Sequence, residues 1–142
     1  MKSIHLLLVE DNPDDIFLTR RAFKDSQRVE SISVVEDGVA AIQFLRRQGD
    51  FATARRPDLI LLDLNLPKKD GREVLAEVKQ DPELLSIPIV VLTTSSSIED
   101  IEQAYALHAN CYLTKPVDMH QFVSVVQGIE SFWMCLAQLP EA

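Results

Sequence analysis

Two runs of consecutive aliphatic residues dominate the hydropathy pattern. Ile4 through Val9 is apolar apart from His5, and Leu59 through Leu62 is apolar without a break, bracketed by Arg56-Pro57 before and Pro67 after. Runs this short, with turn signals on either side, predict strands buried on both faces, as in the middle of a parallel sheet. Between them the hydrophobic period changes to that of helices. Asn12-Pro13-Asp14-Asp15 predicts a helix start, with Asn as N-cap, Pro at the first helical position and acids where the helix dipole favours them. That helix is expected to run to about Asp25, with Ile16, Ala22 and Phe23 near one face. Residues 31–35 predict a strand, and Asp37-Gly38 opens a helix whose stripe of Val39, Ile42 and Leu45 is expected to face the sheet until Gly49 stops it. Residues 50–56 read as loop.

Further on, Asp70-Gly71-Arg72-Glu73 predicts a capping box ahead of a helix carrying Val74, Leu75 and Val78, which Asp81-Pro82 ends. A strand at 87–92 runs into a hydroxyl cluster at 93–97, and Ser97 with Asp100 caps a helix through Ala104 and Leu107. Residues 111–114 predict a short strand with Lys115-Pro116 at its end, and Asp118 with Gln121 caps a last helix. Strand followed by helix thus recurs five times with no hairpin signal. The fold predicted is α/β, a doubly wound five-stranded parallel sheet with helices on both faces and right-handed crossovers. The last helix carries Phe122, Val126, Ile129 and Trp133 on one apolar stripe. Its end, 132–136, is expected to run past the sheet as a candidate dimer or partner surface.

Composition adds exclusions. At 142 residues the chain reads as one domain spanning 1–142, and the longest apolar runs fall far short of the roughly 18 residues a membrane span needs. Met1-Lys2-Ser3 enters a strand rather than a signal peptide, so the expected location is the cytoplasm, with no membrane partner. The formal charge is −8, and no basic stripe offers itself to nucleic acid, whose affinity comes largely from phosphate neutralisation. Cys111 and Cys135 have no metal-type spacing and read as small hydrophobes.

The strand ends carry the candidate chemistry. Asp63 stands where the second apolar run gives out, and Glu10-Asp11 where the first does; in open parallel sheets ligands bind along that rim. Asp63 alone could equally begin a polar turn. Asp14 and Asp15 have a structural role in the helix start, whereas Glu10 and Asp11 precede the cap and are assigned to the site. If the strands are parallel, Thr93 and Lys115 join the same rim. Taken singly, Thr93 reads as a strand residue and Lys115 as a surface lysine; their meeting at one rim points to chemistry. Crowded carboxylates repel, and a divalent cation with hard oxygen ligands relieves them. Mg²⁺ is the expected cofactor, with Asp11, Asp63 and the main-chain carbonyl of Asn65 as ligands and Glu10 acting mostly through water. With an ammonium in Lys115 and a hydroxyl in Thr93, the rim has the parts for phosphoryl transfer onto the Asp63 carboxylate.

Glu10-Asp11, Asp63 in Leu-Leu-Asp-Leu-Asn-Leu-Pro, Asp70-Gly71, Thr93 and Lys115-Pro116 resemble, in order and spacing along the whole chain, the receiver domain of two-component response regulators. The resemblance implies Asp63 as acceptor of a phosphoryl group from a sensor histidine kinase, Thr93 and Lys115 as phosphoryl contacts, and Tyr112 as the switch aromatic. It also implies a cis peptide before Pro116. On phosphorylation Tyr112 is expected to turn inward from a half-exposed position and alter the surface of the last two helices. The segments around Asp63, the run Leu-His-Ala-Asn-Cys-Tyr-Leu-Thr-Lys and the ending Gly-Ile-Glu-Ser-Phe-Trp are similar to small single-domain regulators that partner cyanobacterial phytochromes. That similarity implies a phytochrome-type kinase and a homodimer through the C-terminal helical face.

Three rivals share parts of this pattern. A flavodoxin-like cofactor binder shares the sheet, but its first loop should offer Ser, Thr or Gly to a phosphate, where this chain has Glu10-Asp11-Asn12-Pro13-Asp14-Asp15. An aspartyl-nucleophile phosphatase resembles Asp-x-Asp, where this chain has Asn65 at the second position. A receiver-like module that signals without phosphorylation has the same motifs. With no DNA-binding segment following residue 142, the output expected is protein contact, phosphate relay to another histidine, or an effect at the level of the dimer.

Overall fold

The computed structural model describes residues 3–141, so the expectation for Met1-Lys2 lies outside the described residues. Five strands, β1 (Ile4–Val9), β2 (Val29–Val35), β3 (Leu59–Leu62), β4 (Ile89–Thr93) and β5 (Cys111–Thr114), alternate with five helices. The helices are α1 (Pro13–Ala22), α2 (Gly38–Leu45), α3 (Gly71–Gln80), α4 (Ile98–Ala106) and α5 (Met119–Ile129), the last continued by a π-helical segment, Glu130–Leu136. All strand pairs are parallel, in the order β2-β1-β3-β4-β5.

The uninterrupted apolar runs have a simple cause. Successive side chains of a strand point to opposite faces. Leu7, Val9, Ile60, Leu62, Ile89 and Val91 therefore pack into one core with Val74, Leu75 and Val78 of α3. Leu6, Leu8, Leu59, Leu61, Val90 and Leu92 pack into a second with Phe122, Val126 and Ile129 of α5. Full burial of each such side chain stabilises the fold by about 1.5–3 kcal/mol, so the three central strands anchor both layers.

Three expected caps form: Asn12 accepts from the amides of Asp14 and Asp15, Ser97 from Asp100, and Asp118 from Gln121; Asp37, where the second helix was expected to open, also caps it by accepting from Ala40. The capping box at α3 does not. Asp70 makes no side-chain cap bond, because its carboxylate is taken by the Arg72 guanidinium at 3.1 and 3.2 Å. Helix α2 is also phased differently from the expectation. Val39 is exposed, and Ala41, Ile42, Phe44 and Leu45 face inward. The reason is Gly38, which is buried so tightly that a Cβ there would lie 1.9 Å from the Lys69 carbonyl oxygen; the glycine sets the inward face and Val39 follows it outward. The segment 50–56 is not plain loop either, since a 3₁₀ turn, Gly49–Phe51, lays Phe51 on Phe44 with ring centroids 5.5 Å apart.

Candidate functional site

Register brings the strand ends together. Val9 pairs with both Val35 and Leu62, Leu62 pairs with Val91, and Thr93 pairs with Thr114. The residues that follow, Glu10, Asp63 and Lys115, are consequently neighbours at one rim. Their backbones are tied across it: the Asp63 amide donates to the Val9 carbonyl at 3.1 Å, and the Lys115 amide to the Thr93 carbonyl at 2.7 Å.

Four of the expected site residues, Glu10, Asp63, Thr93 and Lys115, are the buried polar side chains of this rim. Lys115 Nζ lies 2.5 Å from Glu10 Oε1 and 2.9 Å from Asp63 Oδ2. Asp11 is exposed at the mouth, and Glu10, Asp11 and Asp63 can each present a carboxylate oxygen within 4.8 Å of the others. Asn65 follows on the loop after β3, its amide donating to Asp63 Oδ1 at 3.3 Å. Tyr112 is half-buried on β5 and donates its hydroxyl to the Ser95 carbonyl at 2.8 Å, so its polar end is already turned to the loop between β4 and α4.

Electrostatics shape the cluster. Burial raises the Glu10 carboxyl; the Lys115 hydrogen bond pulls it back and the Asp63 charge adds to the rise, leaving it pushed up to about 7. Burial works against the Lys115 ammonium, yet the hydrogen bonds it donates to Asp15 and Glu10 and the charges of Glu10 and Asp63 hold its pKa above that of an ordinary lysine. Thr93 Oγ1 is buried with no hydrogen-bond partner. A hydroxyl left so costs about 1–3 kcal/mol, and it is available to a ligand oxygen.

No described peptide bond is cis, so Lys115 reaches the site on a trans peptide to Pro116, its ammonium held there by carboxylates. Asp15, assigned above to the helix alone, is also a site residue: its Oδ2 lies 2.8 Å from Lys115 Nζ. Its amide serves the Asn12 cap while its side chain reaches the lysine. The available signal was its place in the first turn of a helix that opens at the rim, where side chains lean back toward the N-terminus.

The donor set of three hard carboxylates, with an ammonium and an unpartnered hydroxyl beside them, fits a divalent cation and a phosphoryl group together.

Comparison with known proteins agrees with this chemistry. The response regulator receiver domain profile matches residues 6–127, and the chain belongs to that family. It is a two-component response regulator. It is 52% identical over 137 residues to response regulator Rcp1 of Synechocystis sp., covering 96% of this chain and 93% of that protein. Among solved structures, the phosphorylated cyanobacterial phytochrome response regulator RcpA superposes with a TM-score of 0.95 at 52% identity, covering 98% of this chain and 99% of that one. The Mn²⁺-bound form of Rcp1 gives a TM-score of 0.93 at 50% identity, covering 97% and 99%. No helix among the described residues is long and apolar enough to cross a membrane.

Gly71 packs against the backbone that follows β3. Its amide donates to the Leu64 carbonyl at 2.8 Å, and a Cβ there would lie 2.2 Å from the Asp63 carbonyl oxygen. Gly71→Ala is therefore expected to displace Asp63 and cut its labelling by acetyl phosphate about 10²-fold, the scale on which misplacement by an ångström acts. Unchanged labelling in a folded Gly71→Ala protein would show that the close approach does not position the carboxylate.

Proposed function

We propose that the chain accepts a phosphoryl group on Asp63 from a sensor histidine kinase of the phytochrome type and signals by a phosphorylation-dependent change of surface. The observation that carries this reading is the buried contact of Lys115 with Asp63 and Glu10, next to a Thr93 hydroxyl that lacks a partner. A carboxylate so placed has an ammonium and a hydroxyl ready for the charge of an incoming phosphoryl group. Mg²⁺ is the proposed metal, with Asp11, Asp63 and the Asn65 main-chain carbonyl to hold it and Glu10 beside them. When bound, it supplies neutralisation of the phosphoryl oxygens.

In the transfer, an Asp63 carboxylate oxygen attacks phosphorus as the bond from phosphorus to the imidazole nitrogen of the kinase breaks, the nitrogen keeping the electron pair. Lys115 then exchanges a carboxylate for a phosphoryl oxygen, and Thr93 donates to another. Likeness to RcpA supports a phytochrome-type donor. The test is transfer of labelled phosphate from an autophosphorylated bacterial phytochrome kinase with Mg²⁺. Transfer to the wild type supports the partner. Labelling by acetyl phosphate alone keeps the acceptor and discards that kinase.

We place this receiver unit, spanning the chain, in the cytoplasm. Its downstream partner is read as protein rather than nucleic acid, on account of the charge of −8. A second copy of the chain is the proposed occupant of the C-terminal face. Phe132 and Leu136 are exposed there beside a cavity of about 370 Å³ lined by Cys111, Leu113, Val125, Ile129 and Trp133. Phe132→Asp is expected to convert a dimer to monomer in sedimentation experiments, at least tenfold weaker if an apolar anchor of about 1.4 kcal/mol or more is lost. A wild type that sediments as monomer at high concentration removes the dimer.

A further inference from the structure

Between Asp63 and Tyr112 the structure contains a chain of polar contacts that neither residue's own role accounts for. It starts at α3, whose first residue, Gly71, is pressed against the Asp63 carbonyl. The next residue, Arg72, spreads its guanidinium over two carboxylates: Nη1 contacts Asp70, and Nη2 lies 2.8 Å from Asp100 Oδ1 in the first turn of α4. The other oxygen of Asp100 accepts the Ser95 hydroxyl at 2.6 Å. Ser95 in turn offers its carbonyl to the Tyr112 hydroxyl, and the Tyr112 amide donates to the Tyr105 hydroxyl of α4 at 3.1 Å.

We infer that Arg72 and Asp100 are positioning residues of the switch, clamping the first turns of α3 and α4 so that Ser95 presents its carbonyl to Tyr112. The inference deepens the reading of Asp63 as phosphoryl acceptor and rests on it. Ser95 lies on the loop that follows Thr93, so a threonine drawn to a phosphoryl oxygen pulls on that loop. The clamp holds the far end of the loop to α3, whose start is fixed on Asp63. A pull at Thr93 is therefore delivered to the carbonyl that Tyr112 holds, instead of being lost in a free movement of α4.

The geometry suits the task. Arginine presents a planar fork that spans Asp70 and Asp100 together, which a lysine ammonium does not. Both residues show the electrostatic mark of the pair: hydrogen bonding to Asp100 raises the Arg72 pKa, and the Ser95 hydroxyl and the Arg72 guanidinium hold the Asp100 carboxyl below the usual carboxylate range. An isolated surface ion pair needs neither the serine nor the tyrosine.

The chain has two tyrosines, Tyr105 and Tyr112, so ¹³C-tyrosine labelling gives an NMR spectrum that Tyr105→Phe assigns. The proteins compared are wild type, Arg72→Gln, Arg72→Lys, Asp100→Asn, the Arg72→Gln/Asp100→Asn double variant, and Ser95→Ala, which breaks the link while leaving both charges. In Arg72→Gln, Asp100→Asn and Ser95→Ala the Tyr112 ring signal is expected to move toward that of free tyrosine. Its hydroxyl proton should exchange about tenfold faster, as loss of one hydrogen bond allows. Arg72→Lys should fall between these and the wild type, and the double variant should match the single ones because the two residues act as a unit. Labelling by acetyl phosphate should stay within about twofold, since neither residue touches the carboxylate cluster.

A Tyr112 signal unchanged in Arg72→Gln, Asp100→Asn and Ser95→Ala overturns the clamp, as do effects that simply add in the double variant. Beryllofluoride with Mg²⁺ separates the two readings. A wild-type Tyr112 that ignores it counts against Asp63 as acceptor, while the clamp is still decided by the spectra of the free proteins.

Discussion

Asp63→Asn is expected to take no detectable label from either a histidine kinase or acetyl phosphate, a loss on the order of 10³-fold or more, as for removal of a nucleophile. The substitution keeps the shape of the side chain and removes what the reaction needs, an anionic oxygen that can bond to phosphorus. It also removes one negative charge from a buried cluster in which Glu10 is already pushed up to about 7 with the Asp63 charge contributing. The fold should therefore survive, and thermal unfolding should show a midpoint at or above that of the wild type. Label found on the asparagine variant would move the acceptor to another carboxylate, with Asp11 the first to map.

Lys115→Met should have the second largest effect, and it divides by metal. The ammonium is the counter-charge to Glu10, Asp15 and Asp63, and it is buried with Glu10 and Asp63. Breaking a buried pair by removing one partner costs about 3–5 kcal/mol, so without metal the variant should unfold at markedly lower urea. If Mg²⁺ is held through Asp63 as proposed, the ammonium and the cation share that carboxylate and repel each other. Two unit charges 4 Å apart interact by about 1 kcal/mol even in water, and a divalent cation doubles this, so losing the ammonium should tighten Mg²⁺ binding about tenfold or more. Millimolar Mg²⁺ should then recover part of the lost stability through mass action. Equal Mg²⁺ affinity in variant and wild type, measured by titration calorimetry, would mean that Lys115 and the metal do not share ligands.

Both effects come from residues that could be named without coordinates. The continuous apolar runs at β1 and β3 require burial on both faces, which in a chain of alternating helices means a parallel sheet, and a parallel sheet puts all its strand ends on one rim. Glu10, Asp11, Asp63, Thr93 and Lys115 were therefore legible as a group. The caps at Asn12, Ser97 and Asp118 were legible as well, because a cap is a contact between residues two or three apart.

What local pattern could not decide is which partner a charged side chain chooses when several lie within reach. Asp15 serves the helix by its amide and the site by its carboxylate, a choice made by a lysine a hundred residues away. Asp70 leaves its cap for Arg72, and Arg72 reaches Asp100 only because α3 and α4 pack on the same face of the sheet. Val39 points outward because Gly38 must meet the Lys69 backbone, a contact between separate elements. Spacing along the chain determined the elements, their caps and the rim, since those depend on hydrogen bonds and burial within short stretches. The tertiary structure alone decided the clamp, the third carboxylate on Lys115 and the phase of α2, since charge pairing and close backbone approach act through space.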